Sequence, residues 1–304
     1  MNFTDIFQRG LDEFFPFDEW AEVVIRIGIK IWNYAILSIV SLLQLDLETY
    51  AGGAGMDFAR SIHTVFLSVS APLLVVIFFW HVYELSYEDR KQGSDFWSIL
   101  SMFYPLVIGE ALLTYSIDIV AWVFRLGFYL VKSVTSFSID SLMIDETVIV
   151  NDLQNNQLGA SDAVGGILLL LLSFFTVIVI LVCVCLLFYI VYFRYIKLYA
   201  LLPFSSLAFV TYVGPQEFKR IATMYFKYIL ALALESVAML ISIILCNVLI
   251  TGTISNGIGG IVDLFLGNNF AILVSHLLII IFNCAMTVGA AKGSEMMIER
   301  WLVH

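Results

Sequence analysis

Long uninterrupted apolar segments alternate with short polar ones along this chain, and they predict membrane-spanning helices. A helix needs about 20 apolar residues to cross the ~30 Å hydrocarbon core of a bilayer. Segments of that length lie at approximately Ile27–Leu45, Ile62–Leu85, Phe96–Leu130, Val164–Phe193, Met224–Ile250 and Phe270–Ala291. The short alternating segments of a membrane β-barrel are absent from this pattern. The predicted fold is therefore all-α: a polytopic membrane protein with about six transmembrane helices in a single membrane domain, residues 23–304.

Residues 1–22, before the first predicted span, mix aromatic and acidic side chains. Phe3, Phe7, Leu11 and Phe14 fall near one stripe of a helix, which predicts an amphipathic helix lying in the membrane interface. Because this segment is acidic, anionic lipid cannot hold it by charge. Docking on another protein subunit is therefore an alternative to contact with lipid.

The basic residues predict an orientation. They group before span one, between spans two and three, between spans four and five, and after span six, which is one side of a six-span protein. The loops 46–59, 133–163 and 251–269 on the opposite side contain no Lys or Arg. By the positive-inside rule, both termini are expected to be cytoplasmic. Arg60, Arg125 and Lys132 are exceptions near the outer ends of their spans, where long side chains reach the interface.

Composition and charge narrow the possible functions. Apolar residues make up 61% and charged residues 13% of the 304 residues, which excludes a soluble globular domain. The net charge of −10 excludes a basic nucleic-acid surface on the chain as a whole. The four cysteines lie in apolar runs and are interpreted as small buried hydrophobic residues: Cys183, Cys185, Cys246 and Cys284. Neither a catalytic motif nor a metal-ligand set is recognisable, so we expect no enzyme, metal or cofactor.

Ionisable and amide side chains inside the predicted spans are the candidates for function, because such groups are costly in a membrane and face protein or water. In span three, Asp118 and Arg125 share a helical face and Glu110 lies nearby on it. They form either a polar path, such as a proton relay, or polar contacts between helices. Span five contains Glu235 and Asn247, and span six contains His276 and Asn283 on one face. Arg125 or Lys227 is the expected partner of Glu235.

Three further features are expected to shape the packing. Ala285, Gly289 and Gly293 form a ladder of small residues on span six, and Glu235 lies among small residues on span five. At least one of these two places is expected to lie at a close helix contact, within the subunit rather than between subunits. The segment 198–215 contains Pro203 and ends at Gly214 and Pro215, which predicts a hinge at the cytoplasmic face. The acidic loop 133–163 is either a solvated loop or a docking surface for an extracytoplasmic partner.

One stretch carries a family resemblance. Residues 194–209 read Arg-Tyr-Ile-Lys-Leu-Tyr-Ala-Leu-Leu-Pro-Phe-Ser-Ser-Leu-Ala-Phe, residues 214–220 read Gly-Pro-Gln-Glu-Phe-Lys-Arg, and residues 226–236 read Phe-Lys-Tyr-Ile-Leu-Ala-Leu-Ala-Leu-Glu-Ser. This basic helix end, Pro-containing apolar segment and basic turn resemble the TrbL-type polytopic inner-membrane subunit of conjugative type IV secretion systems. Family members often have Gln at the position of Glu235.

The resemblance implies a non-enzymatic channel or scaffold subunit for DNA or protein transfer in the bacterial cytoplasmic membrane. Its implied assembly is a homo-oligomeric ring, with a pentamer as the suggested size, below an extracytoplasmic stalk and beside cytoplasmic ATPases. The resemblance neither implies nor excludes direct contact between this chain and DNA. The alternative is a secondary transporter or small-solute exporter that uses Glu110, Asp118 and Glu235, with a site at mid-membrane.

Overall fold

The computed structural model describes residues 17–89, 96–135, 143–144, 163–249 and 268–303. Within these residues the chain is helical and contains no strand. The helices are α1 (Phe17–Leu43), α2 (Ala54–Asp89), α3 (Phe96–Thr114), α4 (Ser116–Thr135), α5 (Ala163–Leu201), the short α6 (Ser205–Val210), α7 (Gln216–Leu249) and α8 (Asn268–Val303). The predicted all-α membrane class is confirmed.

Five described segments are helical, long and apolar enough to cross a membrane, and α3 with α4 makes a sixth candidate if that bent pair is one span. The predicted span over 96–130 is a broken helix in the structure, because the axis bends by 66° at Tyr115. Polar side chains satisfy backbone groups at the bend. Ser116 Oγ donates to the carbonyl oxygen of Leu113 at 2.9 Å and lies 2.8 Å from Nε2 of the buried His63.

Several predicted features lie outside the described residues. They are the amphipathic segment up to residue 16, most of the 133–163 loop, and the 251–269 loop up to the start of α8.

The chain divides into two compact units. The first comprises Met1–Leu42, Val134–Ile190 and Met239–Gly293. Here Gly28 permits close packing of α1 on α5, since a Cβ added to it would meet Val177 at 2.9 Å and Ile180 at 3.2 Å. The Asn33 side-chain amide donates to the Ile144 carbonyl oxygen and accepts from its N–H, both at 3.0 Å. This paired bond ties α1 to the loop between α4 and α5.

The second unit comprises Leu43–Ser133, Val191–Ala238 and Ser294–His304. An apolar core forms where α2 packs on α3 and on the segment around α6, with Leu74, Ile77, Phe78, Leu113, Val210 and Val213 buried. Ser70 Oγ donates to Ser206 Oγ at 3.2 Å within the same contact. Burial of apolar area and interhelical hydrogen bonds therefore act together here.

The Pro203 segment connects α5 to α7 as a series of short helical turns. A 3-10 turn over Leu202–Phe204 carries Pro203 near its start, α6 follows, and a second 3-10 turn covers Thr211–Val213. Pro203 ends α5 because it lacks an N–H and its ring clashes with the preceding turn. Gly214 is extended, with ψ −177°, and Pro215 precedes α7. Pro203 and Gly214 are buried, so this connection is part of the packed core.

The cysteine prediction holds for three of its four residues. Cys183, Cys246 and Cys284 are buried thiols, whereas Cys185 is exposed on α5. All four are free, which agrees with the absence of a disulfide framework in the prediction.

Candidate functional site

Four ionisable side chains meet in the second unit, near the ends of α5 and α8 and in the middle of α7. Arg194 and Lys197 project from α5, Glu235 from α7 and Glu295 from α8; we call these four residues the charged cluster. Arg194 is 1% exposed, Glu235 5% and Glu295 8%. All four lie inside the segments long and apolar enough to cross a membrane. Charges buried at such a place need opposite charges beside them.

Each positive side chain of the charged cluster interacts with a carboxylate, and one of these interactions is a direct ion pair. Lys197 Nζ donates to Glu295 Oε1, and the ammonium group also lies 5.1 Å from the centre of the Phe193 ring. Glu235 lies close enough to interact electrostatically with both Arg194 and Lys197. The formal charges of two cations and two anions cancel within the cluster.

Aromatic rings enclose the Arg194 guanidinium group. Its Cζ lies 5.9 Å from the ring centre of Phe128 on α4 and 5.6 Å from that of Tyr195. Its Nε and Nη1 atoms have no hydrogen-bond partner among the described residues. The electrostatic attraction to Glu235 and the contact with the two rings therefore offset most of the free-energy cost of burying this charge.

A small pocket lies between the two carboxylates of the charged cluster. Its lining combines Lys197, Tyr228, Glu235 and Glu295 with apolar side chains, and it has room for about one water molecule. Among the described residues, no group of His, Cys, Asp and Glu side chains has the geometry to hold a metal ion.

Small residues allow the helices around the cluster to approach closely. A Cβ added to Gly127 of α4 would lie 2.7 Å from the carbonyl oxygen of Ala233 on α7. Ala231, Ala233 and Ser236 are buried on α7 beside Glu235. Glu235 thus lies at a packed helix contact, and the small side chains around it make that contact close.

The three predicted candidates of span three are not brought together with Glu235. The bend at Tyr115 separates Glu110 from Asp118 and Arg125, and all three side chains are exposed. Arg125 donates to Glu48 at 2.6 Å and lies 3.6 Å from Asp46, both in the loop after α1. The expected pairing of Arg125 with Glu235 is therefore wrong, and Arg194 and Lys197 take that place.

The other candidates lie in the first unit. Asn283 is buried on α8, and Thr287 Oγ1 donates to its carbonyl oxygen at 2.8 Å. Asn247 and His276 lie on α7 and α8, and their side chains fall outside what the structure describes.

The glycines of the small-residue ladder on α8 make no close contact with the described residues. Ala285 and Gly289 are exposed, and a Cβ added to Gly289 or Gly293 would meet no described atom within 4 Å. Of the two places expected to form a helix contact, the one around Glu235 does so among the described residues. The space beside the two glycines is open to lipid or to another helix.

The loop between α1 and α2 is held by three tyrosines of α5. Tyr50 stacks on Tyr195 with ring centres 4.0 Å apart, and Tyr192 and Tyr199 lie at 6.3 and 6.2 Å. Tyr199 Oη donates to the Leu47 carbonyl oxygen at 2.8 Å. Burial raises the pKa of Tyr50, with a smaller contribution from Tyr192, so the ring stays neutral at physiological pH.

The contact of this loop with α5 bears on the predicted sidedness. The six-span arrangement places the 46–59 loop opposite the basic residues at 194 and 197, with a ~30 Å membrane core between them. In the structure the loop touches Tyr195 and Tyr199 directly. Arg60 lies 3.7 Å from Glu48 of the same loop, and Arg125 binds it more closely. Arg60 and Arg125 therefore lie beside a loop that contacts α5 next to Arg194.

Replacing Tyr50 with Leu should loosen this loop without unfolding the chain. An aromatic pair contributes about 0.5–1.5 kcal/mol beyond its buried area. We expect a small fall in the melting temperature in detergent and faster labelling of a cysteine placed at the exposed Thr49. Tyr50→Phe keeps the stacked ring and serves as the control. Equal labelling rates in both variants would contradict the role of the stack.

Arg194, Lys197 and Glu295 were not identified as site residues from the sequence. Arg194 and Lys197 were interpreted as basic residues flanking a span. One signal was present, since an acid inside an apolar helix, such as Glu235, requires a buried cation. Arg194 and Lys197 are spaced so that they share a face of α5, although nothing local indicates that α7 and α8 pack on that face.

Comparison of the chain with known protein families, with curated proteins and with solved structures finds no match.

Proposed function

We propose that this protein is a non-enzymatic channel or scaffold subunit of a conjugative type IV secretion system. The supporting observation is that the quoted residues that resemble the TrbL-type subunit, which span 194–236, all lie in the second unit. They cover the end of α5, the Pro203 segment and part of α7, and they supply three of the four residues of the charged cluster. The resembling residues thus carry most of the charged cluster.

The partners proposed are further copies of this chain, cytoplasmic ATPases and an extracytoplasmic stalk protein. The open ladder at Gly289 and Gly293 supports lateral contact between copies in a ring, because glycine exposed on a helix otherwise costs about 1 kcal/mol relative to alanine. The net charge of −10 favours contact with partner proteins rather than direct binding of DNA.

The alternative of a small-solute transporter receives less support. Its three carboxylates should converge on one site at mid-membrane. Glu110 and Asp118 are instead exposed, and Glu235 has cations beside it in a pocket that admits about one water molecule.

The proposed location is the bacterial cytoplasmic membrane, with the termini on opposite sides. Asn33 of α1 binds Ile144, in the loop that is predicted to be extracytoplasmic. The residues after α1 contact Tyr199, and Lys197 binds Glu295 near the end of α8. If α1 crosses the membrane, the N-terminus lies on the extracytoplasmic side and the end of α8 on the cytoplasmic side.

Deleting the gene from a donor strain should abolish conjugative transfer, and the wild-type gene in trans should restore it. Purified protein in liposomes should not transport small solutes, because a secretion subunit works only within its machine. Normal mating by the deletion strain would contradict the proposal. Solute uptake that depends on Glu235 would favour the transporter.

The acidic loop offers a test of partner docking. Replacing residues 142–157 with a short Gly/Ser linker should leave the amount of membrane-inserted protein unchanged and abolish transfer, because this loop is longer than a turn requires. The measurement is the donor's transfer frequency beside an immunoblot of its membranes. Unchanged transfer would show that the loop is only a solvated connection.

A further inference from the structure

We propose that Arg194 and Glu235 are each other's counter-charge, and that with the Lys197–Glu295 pair they form a charge-neutral network. The network positions α5 and α8, near their ends, against the middle of α7 and takes no part in moving a proton or a substrate. The assignment of Arg194, Lys197 and Glu295 goes beyond the proposed function, and only its last test rests on that function.

Burial makes the two charges of the first pair dependent on each other. Arg194 and Glu235 are almost completely enclosed, and they interact electrostatically. Removing Glu235 takes the counter-charge from the buried Arg194, and removing Arg194 leaves two carboxylates beside the single ammonium group of Lys197. Either imbalance at a buried site is far more costly than losing a surface ion pair. Replacing both with apolar side chains of similar volume removes two charges from a low-dielectric site and is often neutral or stabilising.

The charge balance argues against a relay. Each carboxylate of the charged cluster already has a cation beside it, and Lys197 donates directly to Glu295. Protonating either carboxylate would leave a buried cation without compensation. The pocket beside Glu235 has room for about one water molecule. A stable network satisfies these observations, whereas a carrier site requires an unbalanced charge for its ligand.

The first test compares single and double variants of the full-length protein in detergent. Arg194→Met and Glu235→Leu should each remove most of the monodisperse protein seen by size-exclusion chromatography and lower its melting temperature. The double variant should recover both properties to near the wild-type level. A double variant no better than the worse single variant would overturn the pairing.

The second test exchanges the charges of the other pair. Lys197→Glu and Glu295→Lys should each reduce the melting temperature, and the two together should restore it, because the exchange keeps a contact between opposite charges. The matched control is the pair of Arg125 and Glu48. Both side chains are exposed, and Nη2 of Arg125 lies 2.6 Å from Oε1 of Glu48. Arg125→Met and Glu48→Leu should each change the melting temperature little. Equal losses at both pairs, or no rescue by the exchange, would overturn the proposed network.

The third test separates positioning from transport and rests on the proposed function. Donors carrying the stable Arg194→Met, Glu235→Leu double variant should transfer DNA at close to the wild-type frequency. A stable double variant without transfer would overturn the proposal, since the charges would then act on the substrate or on a partner. If deletion of the gene leaves mating unchanged, the proposed function fails, and the two detergent tests still decide whether the network exists.

Discussion

Gly127→Leu should prevent the protein from folding. The Cβ that any other residue adds would lie 2.7 Å from the carbonyl oxygen of Ala233 and 3.2 Å from its carbonyl carbon. These are backbone atoms of α7, so they cannot rotate away as a side chain does. Leucine adds three more carbon atoms at the same place. We therefore expect a loss of more than about 3 kcal/mol, the upper part of the range for overpacking in cores that adjust.

Gly289→Leu provides the control at another helical glycine. A Cβ there meets nothing within 4 Å, and leucine favours the helix by nearly 1 kcal/mol relative to glycine. This variant should express and melt like the wild type as a protomer. If the ladder holds copies together, as we propose for the ring, the variant should elute at a smaller size in mild detergent.

The measurements are membrane yield, melting temperature and elution volume of the two variants side by side. A folded Gly127→Leu protein with wild-type stability would show that α4 and α7 do not approach as described. An unchanged oligomer for Gly289→Leu would show that the ladder faces lipid.

The fold class followed from the sequence because the membrane imposes it. Backbone groups in hydrocarbon must bond within the chain, so long apolar segments form helices whatever their neighbours are. The bend between α3 and α4 was missed because the apolar pattern runs through Tyr115 without a proline or glycine at that point. Pro105, which does lie in α3, is accommodated inside the helix. The bend therefore depends on tertiary contacts, such as that of Ser116 with His63, which the local sequence does not reveal.

The charged cluster could be predicted only in part. Glu235 was identified because an acid is conspicuous inside an apolar helix. Its partner Arg194 directly follows an apolar run, where basic residues that flank a span are expected. Nothing in the neighbouring sequence therefore indicates that Arg194 is buried. Glu295 lies in the mixed polar end of α8, where a carboxylate needs no special explanation. Which helix faces meet is a property of packing, and it decides both pairings.

The same contacts bear on the sidedness, which stays a prediction. The positive-inside rule counts basic residues by position, and Arg60, Arg125 and Lys132 are exceptions on the outer side. Arg60 and Arg125 bind Glu48, and that loop lies against Tyr199 of α5. If the loop lies on the side of Arg194, as we propose, these two residues are no longer exceptions, and a single crossing by α1 places the N-terminus outside.

An epitope tag ahead of Met1 should accordingly be cleaved by a protease added to intact protoplasts, whereas a tag after His304 should be cleaved only after lysis. In a variant whose native cysteines are replaced, a cysteine at the exposed Met143 should react with an impermeant thiol reagent from outside. Cysteines at Thr49 and Gln216, also exposed, should react only in opened membranes. Protection of the N-terminal tag, together with outside labelling at Thr49, would restore the six-span arrangement with both termini inside. That result would also require the tyrosine contacts of the loop to be absent in the membrane, because a residue accessible from outside cannot lie against the cytoplasmic end of α5.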